Sequence, residues 1–264
     1  MSVSLDQILQ ATRRRVAEAK KSADVRELER QAEMHVPRGF RRALEEKSGV
    51  GVAVIAELKK ASPSRGMIRA QFNVAELAKE LEAAGAVALS VLTDEEYFQG
   101  SLGNLRVASA AVAIPCLRKD FIVDEFQLLE ARANRADAVL LIVAALSAEE
   151  LQILALGARA RGLDVLCEVH DEDELRRALE VGCELIGVNT RDLRTFKVDP
   201  ETALRLAELL PKSAVRVAES GIRTREDIAR LRGVGYQAFL IGETLMREER
   251  PGEALRELVG GTYS

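Results

Sequence analysis

From Val50 onward, short runs of branched aliphatic residues alternate with stretches of helical spacing, and this alternation repeats eight times. The runs are Val52–Glu57, Ala86–Leu92, Ile114–Lys119, Ala138–Val143, Val165–Val169, Leu185–Asn189, Val215–Glu219 and Ala238–Gly242. They lie roughly 20–35 residues apart, room for a strand, a helix and two loops. Between them, Asn73–Ala84 reads as a helix capped by Asn73, with Val74, Leu77, Ala78 and Leu81 on one face and Gly85 at its end. Ser147–Ala160 opens on a capping-box pair, Ser147 and Glu150. Asp171–Glu180 stops before Gly182, Thr224–Leu231 stops before Gly233, and Gly252–Val259 closes the chain's pattern. Eight such units predict a closed α/β (β/α)8 TIM barrel, since an open doubly wound sheet usually carries fewer strands. A dinucleotide fold would also place GxGxxG after its first strand, and here that position reads Leu58-Lys59-Lys60-Ala61-Ser62-Pro63-Ser64.

The 264 residues suit one barrel of about 250. With aromatics at 4% and no Trp, the core has to come from Ala, Leu, Val and Ile. The expectation is a single domain over 1–264, with a barrel at 49–264 and an N-terminal helical extension at 1–48 covering the barrel mouth. Ser4–Lys47 has helical pattern, Asp6 as a cap and a charged face of Arg13–Arg15, Lys20 and Lys21. The pattern alone equally admits a solvated arm. No fused isomerase domain is expected after the eighth unit.

A net charge of −4 with acids and bases interspersed gives no basic stripe, so no nucleic-acid partner is expected. No apolar run approaches the roughly 20 residues that span a bilayer, and Met1–Arg15 lacks the apolar stretch of a signal peptide. No membrane partner and a cytoplasmic location follow. Cys116, Cys167 and Cys183 form no CxxC pair and read as buried free thiols. His35 and His170 offer no zinc spacing, so no metal is expected.

Barrel active sites lie at the C-terminal strand ends, so the polar residue that finishes each run is informative. The first run ends in Glu57, and Lys59 two residues later faces the same way. The third ends in Lys119, the fifth carries Glu168, and the sixth ends in Asn189 with Arg191 at the same two-residue offset. The seventh ends in Glu219-Ser220-Gly221 and the eighth in Gly242-Glu243. One charged strand end simply reaches water; six together, with two same-face pairs, point to a single site. Ser220-Gly221-Ile222 and Gly242-Glu243-Thr244, with a short helix at Thr244–Arg247, also fit a phosphate cradle, though glycines can merely shape turns. Ser62-Pro63-Ser64 adds hydroxyls to that rim. Glu243 is expected to turn its carboxylate away from a phosphate while its N–H contributes.

Five segments, in order, resemble the indole-3-glycerol phosphate synthase family. They are Ile55–Ser64 (IAELKKASPS), Leu89–Ser101 (LSVLTDEEYFQGS), Arg118–Ile122 (RKDFI), Gly187–Leu193 (GVNTRDL) and Ala218–Ile222 (AESGI). The last string recurs in other phosphate-binding barrels; the ordered set, running over nearly the whole chain, is specific. The resemblance implies closure of the indole ring of 1-(2-carboxyphenylamino)-1-deoxyribulose 5-phosphate, with loss of CO2 and water and no cofactor. It implies that Lys119 protonates the ketone and that Glu168 is the general base. Lys59 either binds the substrate carboxylate or donates a proton in dehydration, Glu57 holds Lys59, and Asn189 bonds substrate hydroxyl and catalytic side chains. Arg191, Glu219 and Ser220 contact substrate, while Ser62, Gly221, Gly242 and Glu243 form the phosphate cradle. Phe98 and Phe121 flank the anthranilate ring, unless they are core packing. Glu243 stands where some members carry serine, and His170 matches no catalytic position and is expected to hydrogen-bond at the rim.

The chemistry agrees with the rim: an alkoxide must be protonated, a hydroxyl must leave as water, and a base must take the last proton. Two rivals use the same fold. A phosphoribosylanthranilate isomerase would need a Cys/Asp pair at the strand ends, and a Schiff-base aldolase would use a strand-end lysine as nucleophile. A non-catalytic barrel that only binds a phosphorylated ligand would have no use for a second lysine. The partner expected is a small phosphorylated substrate, bound by a monomer.

Overall fold

A computed structural model describes residues 4–192 and 197–260. Eight parallel strands close into a barrel: β1 Ala53–Leu58, β2 Ala88–Leu92, β3 Cys116–Lys119, β4 Ala138–Ile142, β5 Asp164–Val169, β6 Leu185–Asn189, β7 Val215–Glu219 and β8 Ala238–Ile241. Each strand pairs with its sequence neighbours, and β1 closes on β8 through Ala53↔Ala238 to Ala56↔Ile241. The helices are α1 Leu5–Ser22, α2 Val25–Glu33, α3 Phe40–Ser48, α4 Val74–Ala83, α5 Leu102–Ala111, α6 Glu125–Ala133, α7 Ala148–Ala160, α8 Glu172–Glu180, α9 Pro200–Ala207, α10 Arg225–Gly233, α11 Glu243–Met246 and α12 Pro251–Val259. The capping signals operate as written: Asn73 accepts from the Glu76 N–H, and Ser147 with Glu150 makes a reciprocal box.

Strand alternation divides the apolar residues into two cores. Val54, Ala56 and Leu58 face the outer helices, whereas Ala53 and Ile55 fill the barrel interior with Leu117, Leu166, Val215, Val217, Ala238 and Leu240. Extending each inward series by two residues reaches the mouth. Ile55 leads to Glu57 and Lys59, Leu117 to Lys119, Leu166 to Glu168, Val217 to Glu219, and Leu240 to Gly242. The residues that fill the core therefore also aim the polar ones.

The extension serves both ends of the barrel, where one covering element was expected at the mouth. At the N-terminal end, Phe40 and Leu44 of α3 are fully buried and close the barrel floor with Ala53, Leu185, Val215 and Ala238. Asp137, just before β4, ties this segment down by accepting from the Arg38 N–H at 2.7 Å and from its guanidinium at 2.6 Å. At the mouth, α1 buries Ile8 and pairs with the loops beyond β2 and β3 and with the first turn of α7: Arg15 with Asp94 and Asp120, Lys20 with Asp124, Arg13 with Glu150. The charged face is thus paired to the barrel at these positions, with Arg13 and Lys20 still half exposed, while Lys21 only pairs with Glu18 of its own helix. The cap of α1 is Ser4, which exchanges bonds with Gln7; Asp6 lies inside the first turn.

Cysteine usage needs correcting. Cys116 is a buried free thiol, but Cys167 and Cys183 are joined as a disulfide between β5 and the segment entering β6. Their 16-residue separation carries no metal or redox motif. Only the packing of α8 against the barrel, which folds the chain back, brings them together.

Candidate active site

The mouth holds a cavity of about 510 Å3, within the range of small-molecule sites. Glu57, Lys59, Ser62, Phe98, Lys119, Phe121, Glu168, Asn189, Arg191, Glu219, Ser220, Gly221, Gly242 and Glu243 all line it, drawn from six strand ends with their loops and from the loop after β2. Leu5 and Ile8 of α1 line it too. Leu193, the last residue of the sixth-strand motif, lies outside the described residues.

Lys119 sits at the centre of a buried charge cluster. Its Nζ donates to Glu168 at 2.8 Å and to Glu219 at 3.0 Å. Burial lowers the proton affinity of this amine, but Glu168, Glu219 and Glu57 outweigh it, so the net shift is upward and the group is held as ammonium. Glu168 responds in the opposite sense: burial pushes its carboxyl up, and Lys119, His170 and a hydrogen bond involving Asn189 hold it well below the usual range. Glu219 is raised, because burial and the neighbouring Glu168 charge exceed what Lys119 supplies. Its Oε1 is buried with no hydrogen-bond partner. The two carboxyls on one ammonium thus diverge, one ionised and one prone to hold a proton.

Across the cavity, Lys59 Nζ donates to Glu57 Oε1 at 2.5 Å. Glu57 is lowered, with burial opposing and Lys59 and Lys119 prevailing. Asn189 is fixed by its Oδ1, which accepts from Ser220 Oγ at 2.7 Å and from the Arg191 N–H at 3.0 Å. The rings of Phe98 and Phe121 stand 6.4 Å apart at 42°, forming an apolar wall.

Two glycines make room for the carboxylates. A Cβ on Gly187 of β6 would run into the Glu219 carboxylate, with Leu166 Cδ1 at 3.2 Å behind it. One on Gly242 would meet Glu57, whose own Cβ is 2.9 Å away. Gly187→Ala is therefore expected to push Glu219 off Lys119 and lower kcat by about 10- to 100-fold, as misplacement by ~1 Å does. Steady-state kinetics with a fold check by circular dichroism tests this; an alanine variant at wild-type kcat would show that the slot has no catalytic purpose.

At the opposite end of the cavity, Ser220 and Gly221 take left-handed backbone, φ 66° and 74°, and Thr244 Oγ1 donates to the Ile222 carbonyl at 2.7 Å. This turns the β7 and β8 loops toward each other beside Ser62. Glu243 does not point into solvent: its carboxylate pairs with Arg65, Arg191 and Arg247.

Three features lie beyond what sequence reasoning placed, although the hydrogen-bonding role expected of His170 is met by Glu174. Glu219 was grouped with substrate contacts, yet it is a direct partner of Lys119; the inward series Val215, Val217, Glu219 carried that signal. His170 lies beneath Glu168, with Nε2 3.5 Å from Glu168 Oε1 and Nδ1 2.9 Å from Glu174 Oε2. Burial lowers its proton affinity, but these acids and Glu219 raise it overall. The third is the network behind Lys119, where buried Arg118 bonds Asp120 and Glu130, and Asp120 also accepts from Thr93 at 2.6 Å.

A sequence profile of indole-3-glycerol phosphate synthases matches residues 5–258. An indole-3-glycerol phosphate synthase of Koribacter versatilis is 62% identical over 260 residues, 98% of this chain and 100% of the relative. Proteins of the same name from Burkholderia ambifaria and Acinetobacter baumannii are 47% and 46% identical over 98% and 97% of the chain, covering 99% and 95% of those relatives. Among solved structures, KGPDC from Streptococcus mutans superposes with a TM-score of 0.61 at 10% identity, over 79% of this chain and 95% of its own. Thiamine phosphate pyrophosphorylase from Pyrococcus furiosus gives 0.59 at 15%, over 78% and 93%. Those two likenesses are of fold alone.

Proposed function

The chain belongs to the indole-3-glycerol phosphate synthase family, and from that premise we propose how its mouth residues divide the reaction among them. The enzyme is a carboxy-lyase of tryptophan biosynthesis. It closes the indole ring of 1-(2-carboxyphenylamino)-1-deoxyribulose 5-phosphate, and CO2 and water leave as indole-3-glycerol phosphate forms. The observation that carries the assignment is Lys119 Nζ, held as ammonium between Glu168 and Glu219 inside an apolar-walled cavity.

When the aromatic carbon attacks the ketone, the oxygen gains negative charge and needs a proton at that moment. Lys119 is the donor, and its position in a buried site strengthens its field on the developing alkoxide. Its two carboxyl partners differ in purpose. Glu168, kept ionised, is the base that takes the proton released as the ring becomes aromatic. Glu219, inclined to hold a proton, returns charge balance to Lys119 after donation. The Lys59–Glu57 pair faces the substrate carboxylate, and Lys59 supplies a proton to the departing hydroxyl once CO2 has gone. Asn189, anchored by Ser220 and the Arg191 backbone, hydrogen-bonds the chain hydroxyl. Phe98 and Phe121 flank the anthranilate ring, and the phosphate lies at Ser62, Gly221, Gly242 and the Glu243 N–H.

Glu219→Gln copies the protonated carboxyl without its titration. It is expected to flatten kcat/KM across neutral pH while lowering it by about tenfold. The sign follows from the raised proton affinity of Glu219: its protonated fraction falls as pH rises through the neutral range in the wild type, and glutamine removes that change. A variant whose pH profile keeps the wild-type shape would assign the titration elsewhere. The function itself is tested by the fluorescence of indole-3-glycerol phosphate formed by the purified chain, and a folded chain without turnover would overturn it. We further infer a single-domain monomer acting in the cytoplasm. Among the described residues no helix is long and apolar enough to cross a membrane.

A further inference from the structure

At the phosphate end of the cavity a carboxylate occupies the cations that a phosphate would use. Glu243 Oε1 lies 3.1 Å from Arg65 Nε and 3.0 Å from Arg247 Nη2, and its Oε2 lies 3.5 Å from Arg191 Nη2. The three arginines come from separate segments: the loop after β1, the loop after β6, and the residue just after α11. All of them, with Glu243, line the cavity beside Ser220 and Gly221. Three guanidinium groups around one carboxylate keep a surplus of positive charge, and guanidinium forks are suited to phosphate oxygens. Glu243 is only partly exposed, so its charge is not lost in bulk water.

We propose that Glu243 is a resident competitor for the substrate's phosphate group, gathering Arg65, Arg191 and Arg247 when no phosphate is bound and weakening their hold on the phosphorylated product. The proposal rests on the reading of this end as the phosphate site. A phosphate dianion arriving here must draw guanidinium groups from Glu243 or lie close to its negative charge. Either way part of the attraction is offset, and the carboxylate can retake the arginines as product leaves. The tether gives Glu243 a permanent local presence, so it needs no affinity beyond three partial ion pairs. The two charges of the phosphate still prevail over the single charge of the carboxylate when substrate is abundant.

The test uses inorganic phosphate as the probe, measured as a competitive inhibitor at fixed ionic strength, together with kcat and KM. Glu243→Gln keeps the side-chain shape without the charge. It is expected to bind phosphate roughly 5- to 30-fold more tightly, the effect of one unit charge on a phosphate mono- or dianion at ~4 Å in a water-like dielectric, with KM lowered similarly and kcat reduced as product leaves more slowly. Glu243→Ser carries the same expectation if the glutamine variant fails to fold. Arg65→Gln should instead weaken phosphate inhibition. If phosphate competes in the wild type but binds either Glu243 variant no more tightly, the competitor role is overturned and the phosphate site stands. If phosphate does not compete with substrate in the wild type at all, the phosphate reading falls and takes this proposal with it.

Discussion

Methionine in place of Lys119 is expected to lower kcat by about 10^3-fold or more and to leave KM within a few-fold of the wild type. Among the described residues the ammonium is the one cation hydrogen-bonded to both Glu168 and Glu219, so its loss removes the donor proposed at that point. Methionine nearly keeps the volume and leaves the apolar stem packed, which separates loss of the proton from loss of shape. Two buried carboxylates would then face each other with only His170, 3.5 Å from Glu168, to offset their charge. Glu219, already raised, takes up a proton and limits the repulsion, so the fold is expected to survive. Arginine should not rescue the activity, because its guanidinium does not give up a proton in this range. The chain contains no Trp, so indole emission from product can be followed with little protein background. Turnover within tenfold of the wild type would remove Lys119 from the first proton transfer.

The contrast between Lys119 and Glu243 shows what a sequence of this kind makes legible. Period-two alternation fixes which face of a strand a residue occupies, and the inward series through Leu117 and Leu166 end on Lys119 and Glu168. Barrel class, strand number and the set of mouth residues follow from that periodicity and from the ordered motifs. Which mouth residues touch is a different matter. Lys119 lies 49 residues from Glu168 and 100 from Glu219, and only closure of the barrel sets those distances. The same limit hid the arginines around Glu243, which arrive from loops with no period to read. It hid the disulfide, whose cysteines gave no spacing signal. Helical pattern in 4–47 gave a helical extension but neither its division into three helices nor their destinations, since an amphipathic face does not name the surface it covers. Phe40 and Leu44 reach the barrel floor because the inner ring of Ala53, Ala138 and Ala238 leaves space there.

At that floor, Asp137→Asn is expected to destabilise the protein by about 3–5 kcal/mol, the cost of breaking a buried ion pair from one side. Asp137 is fully buried and accepts from the Arg38 N–H, the Arg38 guanidinium, the Cys116 N–H at 2.6 Å and His35 Nε2 at 3.1 Å. An asparagine offers one acceptor oxygen to these donors and turns an NH2 group on the rest. Arg38 would then keep its charge in a poorly hydrated pocket, and the segment carrying α3 would lose its tie to the barrel. At about 2–4 °C per kcal/mol for a chain of this size, Tm should fall by roughly 6–20 °C. Burial pushes the Asp137 carboxyl up, but His35, Arg38 and the Cys116 N–H bring its net pKa below the ordinary value. Its contribution is therefore complete above the unfolded-state pKa of about 4 and is lost as pH falls through the lower folded value. The gap in Tm between wild type and variant should accordingly be widest at neutral pH and narrow in acid. Asp137 precedes β4 and lies at the far end of the barrel from the mouth, so kcat measured well below Tm should stay close to the wild type. A variant that melts within 2 °C of the wild type at neutral pH, against the roughly 6 °C minimum expected, would mean that the extension is held by the burial of Phe40 and Leu44 and its other polar ties without need of Asp137.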